Sequence, residues 1–251
     1  MRLSVLSTAA AAVLAALVAV PAAQAQGFSE AQRSEVERIV RDYLVAHPEV
    51  LQEAIAELEK RQAAAETAKQ QAGVRENKEV LFNSPHQVTI GNQQGDVTMV
   101  EFFDYNCGYC KRALTDLLDL MKSDPKLKVV LKEYPILGPD SVEAARVAVA
   151  VRMQDADGAR YLAFHRKLLE NRGRNDKARA LAAAQEAGLD MARLERDLDS
   201  PEVTKSIDEA TRLGKALAIN GTPGYVVGDR VIIGALGEQA LKDGVAAARK
   251  Q

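Results

Sequence analysis

The chain has 251 residues, of which 47% are hydrophobic and 27% are charged, and its formal net charge is −2. This balance is typical of a chain that buries a core, and the length suits one large α/β domain with an appendage, or at most two domains. Aromatic residues make up only 4%, Trp is absent and no basic block stands out, so the composition argues against a nucleic-acid-binding protein.

The first 25 residues have the features of a secretory signal peptide. Arg2 supplies a positive charge, an apolar stretch covers residues 3–20, and Ala23-Gln24-Ala25 matches a small-x-small cleavage site. An uncleaved membrane anchor is the alternative, because the apolar stretch is near the lower length limit for a span. Its high alanine content and the cleavage site favour export followed by cleavage.

Residues 26–72 are predicted to form an amphipathic helical segment, restarted at Pro48. Apolar side chains recur at spacings of three and four on one face: Val36, Val40, Tyr43, Leu51, Ile55 and Leu58. Such a stripe packs either on the domain that follows it or on copies of itself. Its position ahead of that domain favours a homo-oligomerisation stalk, and the stripe is too short to distinguish a dimer from a trimer.

The main domain is predicted to cover residues 87–251, after a linker at 73–86. Its first clear unit is a strand at 96–104, a helix that begins at Cys107, and a strand at 127–134. The strands are rich in β-branched and aromatic residues, and the helix has one apolar face. Two strands joined by one helix most simply pair in parallel with a right-handed crossover.

Residues 141–217 contain only helical patterns, followed by strands at 224–227 and 230–233 and a closing helix at 237–249. The Gly228-Asp229 pair between the two strands is typical of a short hairpin. A strand–helix–strand unit, a helical insertion and a strand–strand–helix ending describe an α/β protein. We therefore predict a thioredoxin fold with an inserted helical subdomain, preceded by the N-terminal helical stalk.

Cys107 and Cys110 are the only cysteines of the chain, and they are separated by Gly108 and Tyr109 at the predicted start of a helix. A sulfur at a helix N-terminus faces free N–H groups and the positive end of the helix dipole. These stabilise the thiolate, which is the form that attacks disulfides. Cys110, one turn further on, is positioned to form a disulfide with Cys107 or to resolve a mixed disulfide. The pair therefore predicts a redox centre, and the two intervening residues tune its potential.

Three other interpretations of the cysteine pair fit less well. A zinc site needs two more ligands, and His47, His86 and His165 lie in separate segments. A structural disulfide that closes a two-residue loop would remove little chain entropy. A cysteine protease needs a histidine with an orienting partner and has no use for the second cysteine. We therefore expect no metal and no cofactor other than the redox-active cysteine pair.

A second signal is Gly221-Thr222-Pro223, which directly precedes a predicted strand. Most X–Pro bonds in folded proteins are trans. The location of Pro223, after the helical insertion and at the start of a strand, instead predicts a cis bond beside Cys107. The Thr222 backbone would then pair with an extended substrate chain.

Residues 95–112 (GDVTMVEFFDYNCGYCKR) and the Gly-Thr-Pro motif resemble the DsbA family of bacterial periplasmic disulfide oxidoreductases, over residues 88–251. Tyr43-Leu44 before the HPEVL run at 47–51 is similar to the N-terminal extension of the ScsC-like and Com1-like branch. The resemblance implies a periplasmic location. It implies further that unfolded or misoxidised exported proteins are the clients, and that a membrane protein of the DsbD or DsbB type is the redox partner.

The same resemblance implies roles for individual residues. Cys107 would be the nucleophile, Cys110 the resolving cysteine, and Thr222-Pro223 the cis-proline substrate-binding loop. Glu101 matches the buried acid beneath the redox pair of the family, with Lys132 as its expected partner on the neighbouring strand. Our hypothesis is that Glu101 and Lys132 relay the proton of Cys110, and the alternative is a solvated pair at the strand edge.

The direction of the redox reaction remains open at this stage. A stalk that forms oligomers favours a disulfide isomerase or reductase over a monomeric dithiol oxidase, and Gly-Tyr between the cysteines resembles the pair found in the periplasmic isomerases. A redox-inert chaperone with the same groove is an alternative from another class, and the intact cysteines argue against it. Copper handling by the thiols is a minor alternative, because soft thiolates bind Cu(I) but two ligands alone confer no selectivity.

Overall fold

The computed structural model describes residues 28–155 and 158–250. The expected signal peptide at residues 1–25 lies outside these ranges. Within them, no helix combines the length and the apolar character that a membrane span requires. The chain divides after Glu57 into an N-terminal unit and a larger unit that runs to the C-terminus.

The N-terminal segment is helical, as α1 (Glu30–Ala46) and α2 (Glu49–Glu76) with Pro48 between them. Ser29 caps α1 through a reciprocal capping box with Gln32. The apolar stripe predicted from the sequence is exposed to solvent on these helices, with roughly half of each side chain accessible: Val36, Ile39, Val40, Tyr43, Leu51, Ile55 and Leu58. Among the described residues, the stripe is an exposed apolar surface.

The prediction of a linker at residues 73–86 is wrong. Helix α2 continues to Glu76 and is followed by α3 (Lys78–Asn83). Val74 and Leu81 are buried in a hydrophobic cluster on one face of the sheet. Val74 belongs to α2 and Leu81 to α3. The sequence therefore offers no single helix whose apolar face would predict that both residues are buried.

The sheet of the larger unit has the order β1-β3-β2-β4-β5. The strands β2 and β3 pair in parallel, and the other neighbouring pairs are antiparallel. The bounds of the strands are β1 Val88–Gly91, β2 Val97–Phe103, β3 Leu127–Glu133, β4 Gly224–Val227 and β5 Arg230–Ile233. Helix α4 (Gly108–Ser123) connects β2 to β3, as the sequence predicted, and the predicted thioredoxin fold is confirmed.

The helical insertion lies between β3 and β4 in the chain, and a last helix follows β5. The bounds of these helices are α5 Pro139–Arg152, α6 Ala159–Glu170, α7 Lys177–Glu186, α8 Met191–Asp197, α9 Pro201–Ala216 and α10 Glu238–Ala248. Strand β2 is buried on both faces. Met99 and Phe103 join the hydrophobic cluster that includes the apolar face of α4, whereas Phe102 joins the cluster that includes α9 residue Leu213. Neighbouring residues of β2 therefore belong to different layers of the core.

Candidate active site

Cys107 and Cys110 lie at the start of α4, directly after the C-terminal end of β2. Cys107 is the N-cap of the helix in an extended backbone conformation, and Cys110 is in the first turn. Both are free thiols, and both are buried, whereas Gly108 and Tyr109 between them are exposed. The cysteine pair therefore lies just under the surface, in the arrangement that the sequence predicted.

The surroundings of Cys107 favour its thiolate. A hydrogen bond from the Cys110 thiol is the largest contribution, and it lowers the pKa of Cys107 to about 5 against the opposing effect of burial. The Thr222 side chain and the first N–H groups of α4 act in the same direction. Cys107 is therefore largely ionised at neutral pH, in the form that attacks disulfides.

Cys110 has the opposite character. Burial raises the pKa of the Cys110 thiol far above its ordinary value, and its hydrogen bond to Cys107 and the charge of Glu101 add to the increase. A neutral, fully buried thiol beside an ionised one that is slightly less buried separates a resolving group from a nucleophile. The two sulfurs thus differ in reactivity although they share one helical turn.

The Thr222–Pro223 peptide bond is cis, as predicted, and it lies beside the cysteine pair. The Cys107 sulfur lies 3.1 Å from the Thr222 carbonyl oxygen, to which it donates a hydrogen bond only in its protonated form. Pro223 is buried, whereas Thr222 is partly accessible at the start of β4. Two motifs more than a hundred residues apart in the sequence therefore form one site.

Glu101 lies beneath the cysteine pair, on the face of β2 that is covered by α4. It is only 2% exposed, and burial raises its pKa to about 8. Tyr225 is its direct neighbour in the antiparallel register of β2 and β4. One carboxyl oxygen of Glu101 and the Tyr225 hydroxyl are both buried without a hydrogen-bond partner in the described part of the chain. A protonatable group is therefore available close to Cys110.

The expected pair of Glu101 and Lys132 does not form. In the parallel register of β2 and β3, Glu101 is opposite Leu131 and Phe102 is opposite Lys132. Successive side chains of a strand point to opposite faces, so Lys132 lies on the other side of the sheet from Glu101. Its Nζ contacts Glu209 Oε1 of α9 at 2.9 Å. The sequence alone does not reveal this difference of one residue in register.

A family model for the DsbA-like thioredoxin domain matches residues 98–246. The chain belongs to the DsbA family. A second model, for the N-terminal domain of the copper resistance protein ScsC, matches residues 32–65, which lie within α1 and α2. Both parts of the resemblance seen in the sequence are thereby confirmed, the DsbA-like domain and the ScsC-like N-terminal segment.

Solved structures resemble both the DsbA-like domain and the longer chain. A thioredoxin-like oxidoreductase of Silicibacter pomeroyi is 43% identical, covers 70% of this chain and 99% of its own, and gives a TM-score of 0.66. ScsC of Proteus mirabilis, in a transitional conformation, is 29% identical over 89% of this chain and 97% of its own, with a TM-score of 0.64. The thiol:disulfide interchange protein DsbA of Bordetella pertussis is 29% identical over 140 residues, which are 54% of this chain and 65% of that relative.

Asp104 lies in the DsbA-like motif before Cys107, but the sequence pattern alone does not indicate its role. Its carboxylate is buried and accepts hydrogen bonds from four donors: the N–H groups of Asn106, Ile136 and Leu137, and the Ser141 hydroxyl. The Cys107 N–H donates to the Asp104 carbonyl oxygen. Asp104 thus joins the turn before Cys107 to the loop after β3. A charged residue in an otherwise apolar strand end is the signal that could have identified it.

The loop at residues 171–175 of the DsbA-like domain also contacts the active-site turn. The side chain of Asn106 accepts a hydrogen bond from the Asn175 N–H at 2.7 Å and donates one to the Asn175 carbonyl oxygen at 3.0 Å. Lys111 Nζ donates to the carbonyl oxygens of Asn171 and Gly173 at 2.8 and 2.7 Å. These contacts join segments about 60 residues apart, and nothing in the local sequence indicates them.

A buried polar network supports the same turn from below. The Tyr105 hydroxyl lies 3.2 Å from His165 Nδ1 and 3.3 Å from the Tyr161 hydroxyl, which donates to Glu133. Burial raises the pKa of Glu133 to about 8 and lowers that of His165 to about 3, so the imidazole is neutral. His165 therefore belongs to the core. In the described ranges, no group of three or more His, Cys, Asp or Glu side chains is arranged to hold a metal.

Proposed function

We propose that this protein is an exported thiol–disulfide oxidoreductase that exchanges disulfides with protein substrates through Cys107 and Cys110. The observation that supports this most directly is the difference between the two sulfurs. Cys107 begins α4 with a pKa lowered to about 5, and Cys110 is buried with a raised pKa. The signal-like residues 1–25 support export to the periplasm.

In the proposed reaction, the Cys107 thiolate attacks one sulfur of a substrate disulfide. The substrate S–S bond breaks, one substrate thiolate leaves, and a mixed disulfide remains on Cys107. Cys110 then loses its proton and attacks the Cys107 sulfur, which releases the second substrate thiol and leaves a Cys107–Cys110 disulfide. The substrate gains two electrons from the cysteine pair, and the reverse sequence transfers a disulfide to the substrate.

Two neighbouring groups have supporting roles in this proposal. The partly accessible Thr222 backbone, 3.1 Å from the Cys107 sulfur, would hold an extended substrate segment. Glu101, with a pKa of about 8, is a carboxylate in a minor fraction of molecules at neutral pH, and this form would accept the proton that Cys110 releases. Lys132 takes no part in this relay, because it lies on the opposite face of the sheet and pairs with Glu209.

We further propose that the chain self-associates through the exposed stripe of α1 and α2 and acts as an oligomeric isomerase or reductase. An isomerase must stay reduced, and assembly into a dimer or trimer would shield its thiols from a membrane oxidase while grouping several sites around one cleft. The match of residues 32–65 to the ScsC N-terminal domain supports a shared role for this segment. The redox partner would then be a reductant of the DsbD type. A dithiol oxidase, reoxidised by a DsbB-type partner, is the alternative.

One pair of substitutions tests the connection between assembly and isomerisation. Val40 lies in the stripe, whereas Val45 is 74% exposed and lies about 140° further around the same helix. Light scattering should give an oligomer for the mature chain and for Val45→Asp, and a smaller species for Val40→Asp. Reactivation of scrambled, wrongly bridged ribonuclease should be slower with Val40→Asp alone. Equal rates for all three proteins would contradict the connection, and oxidation of reduced ribonuclease without any unscrambling would favour the oxidase.

The variant Cys107→Ala distinguishes an oxidoreductase from a redox-inert chaperone. An oxidoreductase loses its activity on scrambled ribonuclease, because no thiolate remains to attack the substrate. A chaperone keeps its ability to suppress aggregation of a cysteine-free client. Retention of ribonuclease reactivation by Cys107→Ala would overturn the proposed function.

A further inference from the structure

An open depression of about 410 Å³ lies beside the redox centre. Its lining includes Gly108, the residue after Cys107, and the side chains of Lys111, Arg172 and Arg174. Arg172 and Arg174 are exposed on the loop between α6 and α7, whereas Lys111 belongs to the first turn of α4. When Cys107 attacks a substrate disulfide, the part of the substrate next to the attacked sulfur would therefore lie close to the cationic side chains of this depression.

The depression is held in a fixed position relative to Cys107. Lys111 donates to two carbonyl oxygens of the 171–175 loop, and Asn106, directly before Cys107, exchanges two hydrogen bonds with Asn175. Asn175 is fully buried, and its side chain also donates to the Tyr105 carbonyl oxygen at 2.8 Å. The loop that carries the two arginines is thus anchored to the residues on both sides of the nucleophile.

The charge of the depression is positive. Three cationic side chains and no carboxylate are among its described lining residues. The nearby Asp140 forms an ion pair with Arg174 and offsets that one charge. Lys111 donates to neutral carbonyl oxygens instead of a carboxylate, and its ammonium interacts with the charge of Cys107. A cation-lined depression beside a reacting thiolate attracts anionic partners and reduces their repulsion from that thiolate.

We propose that this basic depression makes Cys107 selective for disulfides that carry carboxylates near the bridged sulfur. This inference rests on the proposed function and names the class of substrate. In the exchange, Cys107 displaces one half of the anionic disulfide as a thiolate, and Cys110 displaces the other half. The substrate disulfide is reduced to two thiols, and the cysteine pair is oxidised to one disulfide, so no other oxidant or reductant takes part.

The test uses the reduced mature chain and three small disulfides of similar size: dianionic dithiodipropionate, neutral hydroxyethyl disulfide and dicationic cystamine. For each disulfide, the rate constant for oxidation of the protein is divided by the rate constant for oxidation of dithiothreitol by the same disulfide. This normalisation is needed because the leaving thiols differ in intrinsic reactivity. The normalised order should be anionic, then neutral, then cationic. Added salt should reduce the differences between the three normalised rate constants, since it screens exposed charges.

The variant Arg172→Gln should lower the normalised ratio of anionic to neutral rate constants by about threefold. Arg212→Gln is the matched control, because Arg212 is an exposed arginine of α9, on the other face of the sheet from α4, and should leave the ratio unchanged. Equal normalised rates for the three disulfides, or a ratio that does not respond to Arg172→Gln, would overturn the inference. Failure of Cys107 to react even with the neutral disulfide would instead refute the proposed function.

Discussion

Lys132 Nζ lies 2.9 Å from Glu209 Oε1, and both side chains are buried on the face of the sheet opposite Glu101. Lys132 also donates to the Val80 carbonyl oxygen, and the second carboxyl oxygen of Glu209 accepts from the Ser84 hydroxyl. The ion pair therefore connects β3, α3 and α9. This arrangement assigns Lys132 to the stability of the domain and leaves Glu101 as the ionisable group beneath the cysteines.

The substitution Lys132→Met should lower the free energy of unfolding by about 3 kcal/mol, because it leaves the buried Glu209 carboxylate without its partner. Urea denaturation of the reduced protein measures this loss. The double variant Lys132→Met/Glu209→Leu should recover most of it, because both buried charges are then removed. The pH profile of thiol exchange should stay as in the unaltered chain. A shifted profile would return Lys132 to the proton relay.

Replacement of Glu101 by Gln should stabilise the reduced protein at neutral pH. The folded-state pKa of about 8 lies above the ordinary carboxyl value of 4.5, so between these pH values the folded protein holds a proton that the unfolded chain releases. The contribution of Glu101 to the free energy of unfolding is therefore fully present below pH 4.5 and falls as the pH rises towards 8. Glu101→Gln removes this loss, for a gain on the order of 3 kcal/mol at neutral pH.

Urea denaturation of both proteins at neutral pH and near pH 4.5 checks this sign. The difference should vanish at the acidic pH, and Glu133, which titrates in the same direction, is present in both proteins and cancels. A destabilised variant at neutral pH would show that Glu101 is ionised in the fold. The same variant tests the relay, since an unchanged pH profile of thiol exchange would exclude Glu101 from proton transfer.

Removal of the Asp104 carboxylate by Asp104→Ala should cost about 2–3 kcal/mol of stability in the reduced protein. The N–H groups of Ile136 and Leu137 and the Ser141 hydroxyl would lose their acceptor. The control Asp119→Ala, which removes an exposed carboxylate of α4, should change the stability by less than about 0.5 kcal/mol. Similar values for the two variants would show that Asp104 does not hold the loop after β3.

The sequence predicts those features of the site that depend on local pattern. The position of Cys107 at the N-terminus of α4 is predictable because its motif follows a recognisable strand. Thr222-Pro223 is identified by its place directly before β4. The face of Lys132 was wrongly predicted because a shift of one residue in strand register reverses it. Asn175 reaches the active site only through tertiary contacts across 69 residues, and no periodicity records such contacts.

The most direct test of the account is the ionisation of Cys107 in the reduced mature chain. The rate of alkylation by iodoacetamide, measured against pH and assigned to Cys107 by mass spectrometry of its peptide, reports the thiolate fraction. The contacts of Cys107 predict an inflection near pH 5. An inflection at about pH 8.5, the pKa of an unperturbed cysteine, would contradict the account.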